Sequence, residues 1–490
     1  MTTDAKTIFS LDIRSLALFR VLLGSILILD MINRFQFVPY FYSDEGIISR
    51  EIVNLGMLEN AYHFQLMFLS GSEWFSYFFF TVTMLAGLFL LLGYYTKIFT
   101  FIAWLFYCSI IVRDPFTTHA ADTLYILLLF WALFLPIGKY FSIDSLLNKS
   151  SGKISVNKLH FSVAAIALYI QVSLVYVMTG IFKGKTETWL DGTHLYLTLS
   201  RFDYAEPFAM LIYPYYELLN FLTHFTLYLE LFGPLLLVIP FFFVFFRLVG
   251  ILLFLGLQIS IGLTMDVGLF PLVSSTALLV FIPAAFWNYL SDFIANKMPW
   301  FHSNLNSFLA NVQNYIVGWF SQKKTSYSET GFYKTKNFFA GLVIVYIIIW
   351  NLSQVTYLFI NFYPPHQPGY FLKLDQRWNM FVTTAKSAGF LSAEATLEDG
   401  TVVDLMSDKK VEHGQFKHLP HIGYTNYRWR IFFSNRLRHR ENTNLHKNYI
   451  EYLRNNNFDD KTIDTINLVY HKYVIDINYN HSALKRQILY

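Results

Sequence analysis

The chain has 490 residues, of which 54% are hydrophobic and only 14% are charged. So much non-polar surface cannot be hidden in one soluble core, so the composition indicates a membrane protein. The net charge of +4 is spread over many loops, which excludes a concentrated nucleic-acid-binding surface. Cys108 is the sole cysteine, so disulfides and a cysteine-ligated metal site within one chain are excluded.

Apolar runs long enough to cross a bilayer recur through most of the chain. A spanning helix needs about 20 mostly apolar residues. The first run contains Arg20 and Asp30 and precedes no small-residue cleavage pattern, so it is interpreted as a retained helix and not a signal peptide. Nine runs qualify: 15–32, 75–93, 98–112, 121–137, 160–182, 221–242, 244–262, 268–287 and 338–361. The sequence therefore predicts an all-α polytopic membrane bundle of about nine transmembrane helices.

The distribution of Lys and Arg predicts the orientation of this bundle. With the N-terminus inside, thirteen of these residues fall on inner segments and six on short outer loops. The positive-inside rule then places the N-terminus in the cytoplasm and the C-terminus outside, in a bacterial inner membrane. Residues 33–74, 113–120, 183–220 and those beyond 362 share the outer face in this arrangement.

Composition divides the chain into four parts. Residues 1–290 are the main membrane domain, 291–336 a polar cytoplasmic connection with an interfacial helix around "LANVQNYIVGWF", and 337–362 the last transmembrane helix. Residues 363–490 are predicted to form a small extracytoplasmic α+β domain. In it "AEATLEDGTVVDLM" predicts a hairpin turning at Asp399-Gly400, "NYRWRIFF" a strand, "LHKNYIEYLRNN" an amphipathic helix and "LVYHKYVIDI" a last strand.

Ionisable side chains within or beside spanning helices are candidates for function, because they are expensive to bury. Arg20 and Asp30 are each interpreted as pairing with neighbouring helices, and Arg113 and Asp114 as neutralising each other. His119 and Asp122 lie one turn apart at the start of the fourth run, where the carboxylate can hold the imidazole for use as a donor or a base. The full set is Arg20, Asp30, Arg113, Asp114, His119, Asp122, Lys183, His224, Glu230 and Asp266.

Two lysines end the fifth apolar run in "TGIFKGKTETWLDGTH", residues 179–194. Burial of the Lys183 ammonium would favour the neutral amine and make it available as a base. The alternative is that Lys183 and Lys185 both extend to the outer headgroups. The histidines are too scattered for a metal site, and no phosphate-binding loop or nucleophile elbow occurs, so we expect no metal, nucleotide or serine-hydrolase chemistry.

Six stretches in order resemble the transmembrane module of the vitamin K-dependent γ-carboxylases and their bacterial relatives, the HTTM (horizontally transferred transmembrane) family. They are "LALFRVLLGSILILD", "FYSDEGI", "LLGYYTK", "THAADTLYILLLFWALFLPIGKYFSID", "TGIFKGKTETWLDGT" and "QISIGLTMDVGLFP". The resemblance covers roughly residues 10–290. It implies a reduced quinone, vitamin K or menaquinone, that is deprotonated by a lysine and with oxygen drives carboxylation of a glutamate side chain.

The resemblance also implies residue roles. Lys183 matches the base region, a shift of one residue would put Lys185 there instead, and His119 matches a histidine that polarises the quinol oxygens. Gln258 stands where the carboxylases have histidine, and the long lumenal extension of the animal enzymes is missing. Residues expected to line the quinone pocket are Trp189, Asp122, Gln258, Tyr176, Phe182 and Tyr196.

The leading hypothesis from the sequence is therefore a carboxylase-type lyase and quinol epoxidase. Its expected partners are the bilayer, a lipid-soluble quinone and an exported peptide or protein substrate, with no nucleic acid. The alternative is a non-catalytic accessory factor that matures or exports a peptide, similar to sporulation-delaying protein B. A transporter ranks third, because no matched halves with interrupted helices are evident.

Overall fold

A computed structural model of the chain shows a helical bundle followed by a small α+β module. It describes residues 3–490 except 57–64, 150–157, 202–204, 301–302, 305–306, 308–310, 312–329, 356–367, 384–386, 407–408, 411–425, 457–462, 475–481 and 483–484. The interfacial helix expected around 309–320 lies, but for one residue, outside this part of the chain, as does the end of the last apolar run, 356–361.

Among the described residues, ten helices of ten or more residues build the bundle. They are α1 Ile13–Phe35, α2 Glu73–Leu92, α3 Thr96–Arg113, α4 Ala120–Ala132, α5 Val163–Lys183, α6 Tyr216–Phe232, α7 Phe243–Thr264, α8 Phe270–Leu279, α9 Ala284–Lys297 and α10 Thr330–Val355. Within the described residues six of them, α1, α2, α3, α5, α7 and α10 from Lys334, are long and apolar enough to cross a membrane. The chain is therefore a multi-pass membrane protein by the length and composition of its helices.

The expected count of nine spans is not confirmed. Helix α4 has only 13 residues, which at 1.5 Å per residue is about 20 Å and shorter than a bilayer core of about 30 Å. Helix α6 ends at Phe232, where Gly233–Leu237 continues as a 3₁₀ turn around a proline. The run 268–287 is divided into α8 and α9, which meet at 90°. If this bent pair counts as one span, the described residues hold seven.

Short helices and one small sheet connect the long helices. The bundle's sheet pairs β1, Leu11–Asp12, with β2, Leu159–His160, in antiparallel register. The short helical segments of the bundle and of the connection after α10 are Ala5–Ile8, Val38–Tyr42, Arg50–Gly56, Leu66–Leu69, Ile143–Lys149, Glu187–Leu190, His194–Leu199, Pro207–Ile212 and Pro368–Phe371.

The C-terminal module is a five-stranded antiparallel sheet with one amphipathic helix. Its strands are β3 Ser387–Leu397, β4 Val402–Asp404, β5 Lys409–Lys410, β6 Ile463–Val474 and β7 Lys485–Ile488, in the order β5-β4-β3-β6-β7. The predicted hairpin is confirmed, since Thr396 pairs with Val402 and Gly400 takes a φ of +77° at the turn. The predicted helix is α11, Thr443–Asn456, and the segment predicted to be the last strand lies in β6, which β7 follows.

The prediction of a strand at "NYRWRIFF" is wrong. Tyr427–Ile431 is helical and continues as the π-helical turn Phe432–Leu437, and the Asn426 side chain caps the start by accepting from the backbone N–H of Arg428 at 2.9 Å. Trp429 packs on Phe41 with ring centroids 4.7 Å apart. The aromatic residues that suggested a strand are therefore accounted for by packing against the bundle, which overrides local β preference.

A buried polar contact fixes the segment after α10 to the bundle. The Gln171 amide on α5 donates to the side-chain oxygen of Gln376 at 2.8 Å, and the Trp378 indole donates to the same oxygen at 2.6 Å. The Trp350 indole on α10 donates to the Gln376 carbonyl at 2.9 Å. One glutamine thus links α5, α10 and the start of the C-terminal module.

Helices α1 and α2 approach closely at two glycines. A Cβ atom added at Gly24 would lie 2.7 Å from the Gly87 carbonyl oxygen and 2.6 Å from the Leu91 nitrogen. These are backbone atoms that cannot move aside as a flexible side chain could. Small residues at such contacts let membrane helices pack closely.

We expect Gly24→Ala to push α1 away from α2 and to lower the free energy of unfolding by about 1–3 kcal/mol, as overpacking does. Thermal unfolding of the detergent-solubilised protein measures the effect. Gly256→Ala is the matched control, because a Cβ on that helical glycine meets no atom within 4 Å. Equal midpoints for the two variants would contradict the close α1–α2 contact.

Candidate functional site

Lys183 is buried at the end of α5 in an ion pair. Its side-chain nitrogen donates to Glu230 Oε1 on α6 at 2.8 Å, and both residues are almost fully buried. The same nitrogen lies 4.3 Å from the ring centroid of Trp189, as a cation–π contact. The proposal that Lys183 extends to the headgroups is therefore wrong, because the ammonium is held inside the bundle.

Lys185 has a different environment from Lys183. Its side chain is exposed, and its nitrogen lies 6.0 Å from the Phe182 ring centroid. Of the two lysines that the sequence left open as the base, only Lys183 lies in a dry, charged environment.

His194 forms the far side of this cluster, which we call the lysine site and define as Lys183, Glu230, Trp189 and His194. The His194 ring stacks on Trp189 at 4.2 Å, and its Nδ1 lies 3.0 Å from the Thr188 hydroxyl. Burial, followed by the positive charge of Lys183, lowers the pKa of His194 to about 3, so the imidazole is neutral. His194 was not predicted as a site residue, although it ends the same quoted stretch as Lys183.

Polar atoms remain unpaired around the lysine site. Glu230 Oε2 and His194 Nε2 are buried and have no hydrogen-bond partner among the described residues. Nearby Gln258 donates to the Tyr176 hydroxyl at 3.3 Å, while its own Oε1 is also unpaired, and Glu230 interacts electrostatically with Tyr176. Such atoms normally find a partner, so this region can accept a ligand that donates hydrogen bonds.

His119 lies at the N-terminus of α4 and caps it. Its Nδ1 accepts from the backbone N–H of Ala121 at 3.1 Å, and Asp122 Oδ2 accepts from the backbone N–H of His119 at 2.9 Å. Asp122 Oδ2 also lies 3.3 Å from Nδ1, but since Nδ1 accepts from Ala121, the carboxylate bonds the histidine through its backbone N–H. Asp122 therefore holds the histidine in place.

Four buried charges lie behind His119, and we call them the charge cluster: Asp30, Arg34, Asp122 and Arg428. Arg34 bonds Asp30 Oδ2 at 2.7 Å and Asp122 Oδ1 at 2.6 Å. Arg428, from the C-terminal module, bonds Asp30 Oδ1 at 2.7 Å. The two positive and two negative charges cancel, which satisfies the requirement that buried charges be paired.

Tyrosine hydroxyls complete the charge cluster. Tyr107 donates to Asp122 Oδ1 at 2.8 Å, and Tyr42 accepts from Arg34 at 2.6 Å. Asp30 thus pairs with Arg34 on its own helix and with Arg428 on the C-terminal module, and the Tyr107 hydroxyl on the neighbouring α3 lies 3.0 Å from its Oδ2. Arg34 follows Asp30 by one helical turn and could have been proposed from that spacing, whereas Arg428 carries no such signal.

The lysine site and His119 do not touch. Among the described residues, the hydrogen-bond, ion-pair and ring-contact partners of Lys183 differ from those of His119. The loop between α7 and α8 contacts the surroundings of both, since Met265 packs in the apolar cluster that holds Leu197 of the helix beginning at His194, and Gly268 lies against the Tyr427 ring, which neighbours His119. The imidazole that stacks on Trp189, beside Lys183, is that of His194.

The other buried cations bind backbone carbonyls. Arg20 donates to the carbonyls of Leu91, Ile137, Tyr140 and Phe141. Arg113 donates to the Ile48 carbonyl at 2.9 Å and lies 3.8 Å from Asp44. These contacts hold loops on helix ends and indicate a structural role. No group of three metal-binding side chains occurs within the described part of the chain.

We expect Lys183→Met and Glu230→Leu each to cost about 3–5 kcal/mol of unfolding free energy, because each leaves a buried charge without its partner. The double variant removes both charges and is expected to regain most of that loss. Thermal unfolding of the four proteins gives the coupling as a double-mutant cycle. The exposed Lys185→Met is the control, and additive losses in the double variant would contradict a direct pair.

A model of the HTTM domain matches residues 9–287, which is more than half of the chain. Comparisons with curated proteins and with solved structures gave no significant match. The matched range contains Lys183, Glu230, Trp189 and His194 and three of the four residues of the charge cluster, and it ends before Arg428. The chain belongs to the HTTM family.

Proposed function

We propose that the protein is a membrane-embedded enzyme of the carboxylase type, in which the Lys183 amine removes a proton from a reduced quinone. The observation that carries the proposal is the buried Lys183–Glu230 pair, with 2.8 Å between its charged atoms and Trp189 over the amine. The second carboxylate oxygen of Glu230 is buried and has no partner among the described residues, so it can accept a hydrogen bond from a ligand.

The chemistry of the lysine site suits a reduced quinone, either vitamin K or menaquinone. Such a molecule offers a flat ring and two hydroxyl donors, and it partitions into the bilayer. Trp189 and Tyr176, which pack on His194 and Phe254, make the surroundings apolar, and Glu230 Oε2 and Gln258 Oε1 are buried acceptors that have no partner among the described residues. When bound with oxygen, the reduced quinone supplies the strong base that carboxylation of a glutamate side chain requires.

Glu230 allows Lys183 to act as a base. A lysine held as an ammonium cannot accept a proton, so its own proton must first leave. Transfer along the 2.8 Å hydrogen bond to Glu230 gives a neutral amine and a neutral carboxylic acid, and burial lowers the free-energy cost of reaching this state from the ion pair. Neutral His194 adds no charge that would oppose this transfer.

The remaining predicted residues receive secondary roles in this proposal. Gln258, Tyr176 and Trp189 contact the quinone at the lysine site. Asp122 acts through His119, since its oxygens are already used by Arg34, Tyr107 and the backbone of His119. His119, at the N-terminus of α4, acts on a substrate oxygen. The substrate that is carboxylated is an exported peptide or protein.

The test is turnover in proteoliposomes. Purified protein is reconstituted with reduced menaquinone or vitamin K, oxygen, bicarbonate and a glutamate-containing peptide, and quinone epoxide and fixed CO₂ are measured. We expect Lys183→Met to lose at least about 100-fold in rate, the lower range for removing a general base. Lys185→Met is expected to keep most of the rate, because its side chain is exposed.

The pattern across variants separates the alternatives. Loss in Lys185→Met with retention in Lys183→Met would move the base to the exposed lysine. Absence of epoxide and of CO₂ fixation in the wild type would reject the enzyme and favour the accessory factor for peptide maturation or export.

We also propose that the end of the bundle carrying the lysine site faces the outside of a bacterial inner membrane, with the N-terminus in the cytoplasm. The charge distribution of the loops supports this orientation. Contacts among the loops are consistent with a shared end: Arg113 bonds the Ile48 carbonyl, Arg428 bonds Asp30, and the Trp189 indole bonds the Phe381 carbonyl at 2.9 Å.

Single cysteines test this orientation in a Cys108→Ala background. Glu451 on α11 and Lys97 on α3 are both exposed. A membrane-impermeant maleimide added to intact cells is expected to label Glu451→Cys and to leave Lys97→Cys unlabelled until the cells are opened. The reverse labelling would invert the orientation.

A further inference from the structure

We propose that the segment from Asn426 to Leu437 of the C-terminal module is part of a second binding site. In it Tyr427 and His119 form a pair of hydrogen-bond donors for an oxygen that carries or develops negative charge. The inference goes beyond the lysine site, and it rests on the proposed function only in expecting a substrate oxygen at this end of the bundle. Its test does not require turnover.

Tyr427 places an unused hydroxyl beside His119. The two rings lie 5.2 Å apart between centroids and are tilted by 30°. Tyr427 is 6% exposed, and its hydroxyl has no hydrogen-bond partner among the described residues. His119 Nε2 is buried and unpaired in the same way. Two buried, unpaired polar atoms on neighbouring rings indicate a ligand that bonds them.

The backbone determines which nitrogen of His119 carries the proton. The N–H of Ala121 points at Nδ1 over 3.1 Å, so Nδ1 must present a lone pair. The proton of a neutral imidazole is then on Nε2, and Nε2 is a donor. Asp122, which accepts from the backbone N–H of His119, keeps the ring in this position. His119 thus offers a hydrogen bond and does not act as a base at Nε2.

Both donors face an environment without net charge. The charge cluster behind them balances two arginines with two aspartates, so it neither attracts a free anion strongly nor repels one. Two fixed donors in a dry site stabilise an oxygen whose negative charge increases, and they do so without reorganising solvent. The class of ligand is therefore a molecule with an enolate, phenolate or polarised carbonyl oxygen.

Arg428 and Arg430 position Tyr427. Arg428 is fully buried and bonds Asp30 at 2.7 Å, and Arg430 bonds the Asp266 carbonyl in the loop between α7 and α8. Gly268 of that loop lies against the Tyr427 ring with a φ of +58°, and a Cβ there would come within 2.7 Å of the ring. The loop between α7 and α8 is thus in contact with the same segment that supplies Tyr427.

The experiment measures how 2-hydroxy-1,4-naphthoquinone, a coloured dye, binds to the purified protein in nanodiscs. The ring hydroxyl of this dye is ionised at neutral pH, and the change in its absorbance reports binding. We expect Tyr427→Phe to weaken binding roughly tenfold or more, as for a lost hydrogen bond to a charged oxygen. His119→Asn is expected to do the same, since asparagine keeps the helix cap but cannot reproduce the Nε2 donor. The affinity for menadione, which lacks the hydroxyl, is expected to differ less between the wild type and these variants.

Three further variants separate binding from folding and from the lysine site. Tyr40→Phe, an aromatic neighbour of Trp429 at 5.2 Å, is expected to bind as the wild type does. Lys183→Met tests the proposed function, because binding that survives this change belongs to the second site. Binding lost in Lys183→Met but kept in Tyr427→Phe and His119→Asn would overturn the inference and leave the lysine site as the binder.

Arg428→Met tests the positioning role. Thr117 is fully buried beneath Arg428, so Thr117→Cys in the Cys108→Ala background is expected to react with a maleimide only when Arg428 is also replaced. The same Arg428 variant is expected to weaken binding of the dye as much as Tyr427→Phe does. An unreactive cysteine together with wild-type affinity in Arg428→Met would contradict the role assigned to this arginine.

Discussion

The arrangement of this protein depends on the pairing of Asp30, Arg34, Asp122 and Arg428 in a place without water. A charge transferred alone into such surroundings costs far more than a folded protein's total stability, so each of these groups must meet an opposite charge. The partners are distributed over α1, α4 and the C-terminal module. Their pairing therefore fixes three distant parts of the chain relative to one another, and it places His119, whose neighbour Asp122 is a member of the cluster.

The same rule distinguishes the two buried polar regions. In the charge cluster, Asp30 accepts bonds from Arg34 and Arg428, and Asp122 accepts bonds from Arg34 and Tyr107, and such a network stabilises a fixed geometry. At the lysine site, Lys183 binds one oxygen of Glu230 and the other is left without a partner. An incompletely paired buried group costs stability, and that cost is reasonable where the group must exchange its partner during a reaction. The first region is interpreted as a support and the second as a reactive site.

The sequence predicted features that depend on neighbouring residues, and it missed long-range contacts and interruptions within apolar runs. Lys183 stood out because it ends an apolar run on the side that the charge rule disfavours, and Asp399-Gly400 because only a few dipeptides make such a turn. Hydropathy counted nine spans because it measures apolar length, whereas the turn at Gly233-Pro234 and the bend before Ala284 interrupt two of those runs. "NYRWRIFF" has the aromatic content of a strand, yet its rings are used to pack on Phe37 and Phe41. The contact between Asp30 and Arg428 joins residues 398 positions apart, and neither local pattern nor spacing contains it.

These contacts also define what the functional unit is. The match to the HTTM domain ends at residue 287, but the Trp189 indole is satisfied by the carbonyl of Phe381, and Asp30 by Arg428. Without the later residues, the indole beside Lys183 would lose its acceptor and the charge cluster would carry an excess negative charge, each in a dry place where such losses are large. The C-terminal module therefore closes this end of the bundle as an integral part. A chemistry that requires both a dry amine and fixed donors depends on that closure, because water reaching either region would weaken the electrostatic interactions that make the groups reactive.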